Sequence, residues 1–332
     1  MVFSLLNRRG HNGIHRTYAI QWVLLALLAA LSLFIGVTDI SVWDVSNLNA
    51  DQVKVLFISR FPRLLSIMIT GGSLAVAGLI MQSITQNRFV SPTTAGTMEW
   101  CRFGVMIAIL FFPEAPALLR VAAAFAVSLV GTALFVLIIG KLQARSIILV
   151  PLAGMMLGSV VSAVTVFFAY SNDIMQNMSS WLQGSFSLVI KGNYELLYLS
   201  IPFMILGYLY ADRFTIAGMG KSMTTSLGLN HAAVMRMGLL IVAMISSVTI
   251  VGVGNIPFLG LVVPNLVSMY KGDSLKGTLF DTAWLGAVLV LICDVIGRVL
   301  LYPYEIPIGI IFSIAGGGIF LILLLGKKSH AA

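Results

Sequence analysis

Charge is what this chain has least of. Only 10% of its 332 residues are Asp, Glu, Lys or Arg, against 59% apolar residues, and the mean hydropathy is +1.00. That leaves too little polar surface to cover a soluble globule of this length, so a polytopic membrane protein is the class that remains. Cysteine is scarce as well. Cys101 and Cys293 lie far apart in apolar contexts, which excludes a disulfide framework. The four histidines, His11, His15, His231 and His330, avoid the hydrophobic runs and show no metal-ligand spacing. No low-complexity segment or polar linker divides the apolar runs. The net charge of +8 does not point to nucleic acid, because the basic residues sit singly or in pairs between apolar segments instead of clustering on one face.

What the chain does have is a succession of membrane-length apolar runs. Arg8, Arg9 and Arg16 precede a run from Tyr18 to Val37. At about 20 residues it exceeds a signal-peptide core and can cross a ~30 Å hydrocarbon layer, so it reads as a retained first span. Further runs lie near 60–82, 94–112, 117–140, 146–170, 194–210, 232–253, 278–300 and 306–326. The stretch from Pro257 to Tyr270 is shorter, about 14 residues, as a re-entrant or broken helix would be. Counted as a short tenth span, it brings both termini to one side. With the N-terminus inside, basic residues such as Arg88, Lys141, Arg145, Arg213 and Lys221 favour the inner side by roughly two to one, as the positive-inside rule requires. The expected fold is an all-α integral membrane protein of about ten transmembrane helices. It has a cytoplasmic tail at 1–17, one transmembrane domain at 18–326 and a cytoplasmic tail at 327–332.

Two outer loops carry more than connecting residues. Residues 39–59 hold Asp39, Asp44 and Asp51 with Trp43, and residues 171–193 place Ile174, Met178, Trp181 and Leu182 at helical spacing among polar residues. The second reads as an interfacial amphipathic helix with Trp181 as an aromatic-belt anchor. Within the spans, Glu99 with Arg102 (i,i+3) and Asp294 with Arg298 (i,i+4) put opposite charges on one helix face. A lone charge at the bilayer centre costs roughly 2.5–3.5 kcal/mol on insertion scales, so pairing or an interior-facing position is required. Asp294 and Arg298, near a span's outer end, read as a structural clamp; Glu99 and Arg102 fit either a structural or a transport role. Gly71, Gly72 and Gly78, and Gly316 to Gly318, suit close helix packing.

One inner segment contains a decoy. Gly218-Met219-Gly220-Lys221-Ser222 ends like a phosphate-binding loop, but Thr215 stands where the pattern needs glycine, and a membrane span precedes it where a strand is required. Nucleotide binding by this chain is therefore rejected. From Lys221 to Met237 the chain is polar enough to leave the membrane. Ser226-Leu227-Gly228-Leu229-Asn230-His231 places a helix stop at Gly228 and a new N-cap near Asn230.

Four stretches in order resemble a known family. They are Arg60-Phe61-Pro62-Arg63 with Gln82 through Pro92; Ser226-Leu227-Gly228; Gly254-Asn255-Ile256-Pro257-Phe258-Leu259-Gly260-Leu261 through Pro264-Asn265; and Asp294-x-x-x-Arg298 followed by Glu305-Ile306-Pro307-Ile308-Gly309. Together they are similar to the iron-chelate and cobalamin uptake permeases, the membrane subunits of a class of ABC importers. The resemblance implies a cobalamin-importer-like permease fold in the bacterial cytoplasmic membrane, both termini cytoplasmic. It implies an ATPase-coupling loop at Lys221, Ser226, Leu227, Gly228, Leu229, Asn230 and His231, and binding-protein docking at Arg60 and Arg63. Its implied partners are an ATP-binding cassette ATPase dimer, a second permease subunit, an extracytoplasmic substrate-binding protein and a ferric siderophore. No catalytic residue, metal or cofactor is expected in this chain, since ATP and Mg belong to the partner subunits.

Asn265, Met269, Arg88 to Ser91 and Thr97 to Arg102 depart from the common family pattern. These departures resemble the subgroup that imports catecholate-type ferric siderophores. The alternatives are an ABC permease for cobalamin or haem, or an ion-coupled secondary transporter with Glu99 or Asp294 as the carrier.

Overall fold

The computed structural model describes residues 11–36, 49–141, 149–192, 194–272 and 274–326. Arg8, Arg9, Asp39, Trp43, Asp44, Arg145 and the C-terminal tail lie outside the described residues. Apart from two isolated bridges, Gln183 with Asn255 and Leu301 with Tyr304, the described residues hold no strand pairing. Fourteen α-helices follow one another: α1 (His11–Phe34), α2 (Ala50–Val55), α3 (Phe61–Ile84), α4 (Thr97–Phe111), α5 (Ala117–Lys141), α6 (Leu149–Ser171), α7 (Met175–Leu182), α8 (Ser200–Leu209), α9 (Ala211–Gly218), α10 (Lys221–Ser226), α11 (His231–Val253), α12 (Leu259–Lys271), α13 (Leu275–Val299) and α14 (Ile308–Gly326). A π turn, Leu56–Arg60, joins α2 to α3.

The long helices run alternately between two ends of the bundle, here called the Arg63 end and the Gly228 end. Five helical stretches among the described residues are long and apolar enough to cross a membrane; shorter apolar helices lie at Tyr18–Phe34, Glu195–Leu209 and Ile308–Leu323. The two remaining passes, α4 and α12, have 15 and 13 residues. At 1.5 Å per residue α12 covers about 20 Å, and the non-helical segment 254–258 supplies the rest of its crossing. The short tenth span expected from Pro257 to Tyr270 is thus a helix with an unwound lead-in. α1 starts at His11, ahead of the expected Tyr18.

α3 is the central helix. Its apolar window is 83% buried, and that of α11 is 72%, whereas those of α5 and α6 are only 22% buried. Glycine explains how α3 is packed on two sides at once. A Cβ on Gly71 would sit 2.7 Å from the Gly286 carbonyl oxygen, so α3 and α13 touch backbone to backbone. A Cβ on Gly78 would sit 1.9 Å from the Gly260 carbonyl oxygen. That carbonyl is the one Pro264 cannot bond within α12, since proline lacks the N–H that would reach back four residues. Around this axis Ile80, Ile84, Phe214 and Ile241 fill the core toward the Gly228 end. Ile67, Phe186, Leu197 and Ile256 fill it toward the Arg63 end. A third cluster, including Cys101, Val105, Ala124 and Met178, joins α4, α5, α7 and α11.

Candidate functional site

At the Arg63 end three non-helical segments are laced together by their backbones. Asn255 N–H donates to the Leu182 carbonyl at 3.0 Å, Ser185 N–H to Val253 at 3.0 Å, and Gly309 N–H to Gly184 at 2.9 Å. The strands of this knot approach so closely that a Cβ on Gly184 would lie 2.3 Å from the Asn255 carbonyl oxygen. Gly254, at φ +86°, makes the turn out of α11 that an L side chain would resist. The knot holds α7 and the start of α14 at fixed positions beside α4 and α6.

Between these four helices lies a cavity of about 640 Å³, within the range of small-molecule sites. Met98 and Arg102 come from α4, Ser162, Thr165 and Val166 from α6, Gln176 and Ser179 from α7, Asn255 and Pro257 from the knot, and Gly309 and Ser313 from α14. The wall mixes apolar side chains, among them Met178 and Leu182, with uncharged polar ones, and the Asn255 Oδ1 is buried with no hydrogen-bond partner. Arg102 and Glu99 pair at 3.6 Å, beyond hydrogen-bond length, with side chains 43% and 24% exposed. Trp181 corrects its expected role. Its indole N–H donates to the Val251 carbonyl at 2.9 Å, and the ring packs on the α4–α5–α11 cluster. It pins α7 inward and is no aromatic-belt anchor.

The second charge pair is part of something larger. Asp294 and Arg298 pair at 2.7 Å with almost no exposure, although Asp294 Oδ2 is not aligned for a hydrogen bond there. Arg63, from the start of α3, donates to Asp294 at 2.9 Å and to both oxygens of Glu305 at 2.9 Å. Arg298 donates to the Ser32 carbonyl of α1 and to the Ile35 carbonyl just beyond it, at 2.9 and 2.7 Å. The four charges therefore tie α1, α3, α13 and the segment before α14 into one block. Arg60 is 7% exposed and its guanidinium donates to the Leu33 carbonyl. Both arginines expected at a receptor contact thus turn into the chain. A partner for Arg63 so far along the sequence could have been suspected only from depth: Arg63, Asp294 and Glu305 all fall at one edge of the membrane.

A third polar cluster went unnoticed in the sequence. Asp281 on α13 is fully buried and ion-paired with Lys271 of α12, and it accepts from Gln21 of α1 at 3.0 Å. Trp284 donates to the Gln21 carbonyl at 3.0 Å, and the Lys271 ammonium lies over the Tyr18 ring at 5.4 Å. Lys271 is therefore a side chain that ties helices together.

At the Gly228 end, α9 and α10 form a protrusion. Ser83 donates to the Phe214 carbonyl at 3.1 Å, and Lys276 pairs with Asp212 at 2.9 Å, so α9 is held against α3 and α13. Gly220, at φ +105°, starts α10, and Thr224 donates back to the Gly220 carbonyl at 2.7 Å. The phosphate-loop decoy is a turn between two short helices. Gly228 has φ +75° and open space where a Cβ would go. Asn230 caps α11, its Oδ1 accepting from Ala233 N–H at 3.1 Å. His231 lies 3.3 Å from Thr224 Oγ1. Burial, and then the nearby Lys221 charge, push its pKa below the ordinary value. Met219 at the end of α9, Met223 within α10 and Leu227 at its end are all exposed.

Comparison with known proteins adds lineage to this geometry. The FecCD transport family matches residues 24–326. The chain is 52% identical over 310 residues to the petrobactin import system permease protein YclN of Bacillus subtilis, covering 93% of this chain and 98% of that protein. It is 42% identical over 303 residues to the ferric-anguibactin transport system permease protein FatD of Vibrio anguillarum, covering 91% and 96%. Among solved structures, a metal-chelate-type ABC transporter in an inward-facing conformation superimposes with a TM-score of 0.82 at 24% identity, over 94% of this chain and 99% of that one. At that identity the likeness establishes the fold, that of ABC transporter permeases.

Proposed function

The chain belongs to the FecCD transport family, and on that premise we propose that it is the membrane-spanning subunit of an ATP-driven importer for a ferric siderophore. The observation that carries this reading is end-to-end kinship with two permeases named for siderophore import. Kinship of that extent favours a ferric siderophore over cobalamin or haem. It also disfavours ion coupling, as does the geometry of Asp294, which is fixed between two arginines and poorly placed to carry a proton.

In this reading the Arg63 end faces outward and the Gly228 end faces the cytoplasm, with the chain in the cytoplasmic membrane and both termini inside. The cavity beside α7 forms part of the substrate path. The protrusion of Lys221, Ser226, Leu227, Gly228, Leu229, Asn230 and His231 meets an ATPase subunit, with the exposed Met223 and Leu227 side chains among its apolar contacts. A second permease completes the path, and a substrate-binding protein delivers the chelate. ATP and Mg are handled on the ATPases, so this chain needs no cofactor. Arg60 and Arg63 act from beneath the outer surface, holding the ends of α1, α3 and α13 in register, and the receptor meets groups more exposed than these two.

The test is to purify the assembled complex from native membranes without adding ligand and to identify its subunits. An ATP-binding cassette ATPase and an extracytoplasmic binding protein are expected. A stable complex with neither would overturn the proposal.

A further inference from the structure

Among the described residues, the span arginines Arg63, Arg298 and Arg102 fall into two kinds. Arg63 and Arg298 are nearly buried, and their guanidinium groups are committed to carboxylates or backbone carbonyls at 2.7–3.2 Å. Arg102 is different. Among the described residues its one charged partner is Glu99, at 3.6 Å, and its side chain is 43% exposed. It is also the one charged residue among those lining the cavity. A structural pair in a low-dielectric setting closes to hydrogen-bond length, because an unmade charge-assisted bond is costly there. This pair does not close. A Cβ on Gly158 would lie 3.2 Å from the Glu99 Cγ, so α6 passes close beside the Glu99 methylene, and the Glu99 Oε2 is buried without a hydrogen-bond partner. Glu99 thus lies close enough to offset the Arg102 charge, while the half-exposed Arg102 side chain lines the cavity.

We propose that Arg102 is the residue that recognises negative charge on the chelate inside the cavity, and that Glu99 competes for the same guanidinium when the cavity empties. The proposal rests on the importer reading above and names the substrate class for that site: an iron chelate with surplus negative charge on exposed carboxylate or catecholate oxygens. Hydroxamate donors cancel the ferric charge; catecholate and carboxylate donors leave an excess, which a guanidinium fork grips in two-point fashion. Neutral donors and acceptors around it, Ser162, Gln176, Ser179, Gln183 and Asn255, suit the chelate's amides and hydroxyls. A single cation opposed by a carboxylate gives binding strong enough to admit an anion and weak enough to release it, the condition that conduction sites share.

The experiment uses the permease with its ATPase and binding protein in proteoliposomes. It measures ATP-dependent uptake of a radiolabelled anionic ferric siderophore as a function of its concentration for wild type, Arg102→Gln, Arg102→Lys and Glu99→Gln. Loss of one charge-assisted contact predicts uptake efficiency about ten- to hundred-fold lower in Arg102→Gln. Arg102→Lys, which keeps the charge but loses the fork, should recover part of it. Glu99→Gln should lower the concentration for half-maximal uptake, because the competitor is gone; a purely structural pair predicts that it is as damaged as Arg102→Gln. Wild-type efficiency in Arg102→Gln, no recovery in Arg102→Lys, or damage in Glu99→Gln equal to that in Arg102→Gln would each overturn the inference alone. A wild-type complex that takes up no ferric siderophore with ATP present would instead overturn the importer reading and this inference with it.

Discussion

Removing Asp294 should loosen the Arg63 end of the whole bundle. The carboxylate is 2% exposed and stands between Arg63, itself 14% exposed, and Arg298. Asp294→Ala leaves Arg298 with backbone carbonyls and the Ser32 hydroxyl only. Arg63 keeps Glu305 alone. Breaking a buried pair by deleting one partner costs about 3–5 kcal/mol, and little solvent screening reduces that here. At about 2 °C per kcal/mol for a chain of this size, the midpoint of thermal unfolding should fall by about 6–10 °C. The chain supplies its own probe, since both cysteines are unpaired and buried. Labelling by a thiol-reactive dye during heating of the purified protein therefore reports unfolding.

The double exchange Asp294→Arg with Arg298→Asp sharpens the test. The i,i+4 spacing alone predicts partial rescue of either single change. The structure predicts none, because the exchange would set an arginine against Arg63 and a carboxylate against the Ser32 and Ile35 carbonyls. A double exchange unfolding within about 2 °C of wild type would refute the four-charge account. Single variants that keep full uptake but lose its pH dependence would restore a proton-relay role.

Gly228→Val forces a β-branched residue to φ +75°, which costs about 1–3 kcal/mol locally. Co-purification of the ATPase should fall while the spans stay folded, and undiminished association would remove Gly228 from the coupling role. Leu227→Asp should weaken the same association by placing a charge beside the exposed Met223 one helical turn away, and an unchanged complex would put the contact elsewhere. For His231 the folded state holds its pKa below the ordinary value, so folding binds fewer protons than the unfolded chain. The turn is therefore fully stable above about pH 6.5 and loses stability as pH falls through the depressed folded value. Hydrogen exchange across 221–231, corrected for intrinsic rates, should be faster at about pH 5.5 than at about pH 7.5, and His231→Gln should abolish the difference. Gly78→Leu would drive a side chain into the Gly260 backbone 1.9 Å from the Cβ position; well-folded, wild-type-like protein would contradict the packing of α3 on α12.

The spans were legible because each is written locally, as an apolar run of membrane length. The turn at Gly228 was legible for the same reason, since a glycine stop and an asparagine cap act over a few residues. The cavity was not. Its walls come from α4, α6, α7, the knot at 254–257 and α14, and no periodicity in one segment reports what faces it from another. For Arg63 the family resemblance implies a receptor contact, while its actual partners Asp294 and Glu305 lie 231 and 242 residues away, beyond the reach of any local pattern. Trp181 was misassigned because an amphipathic helix looks alike whether its apolar face meets lipid or protein. Asp281 escaped notice because its partners sit on two other helices.

The central claim is that this chain moves a ferric siderophore inward at the expense of ATP hydrolysed by its partners. The direct measurement is uptake of the radiolabelled chelate, delivered by its binding protein, into proteoliposomes holding the permease and ATPase, with ATP enclosed or absent and with proton and sodium gradients imposed or collapsed. The account predicts uptake that requires ATP, stops when the ATPase is made hydrolysis-deficient and is indifferent to ionophores. Uptake that proceeds without ATP and collapses with an ion gradient would contradict it.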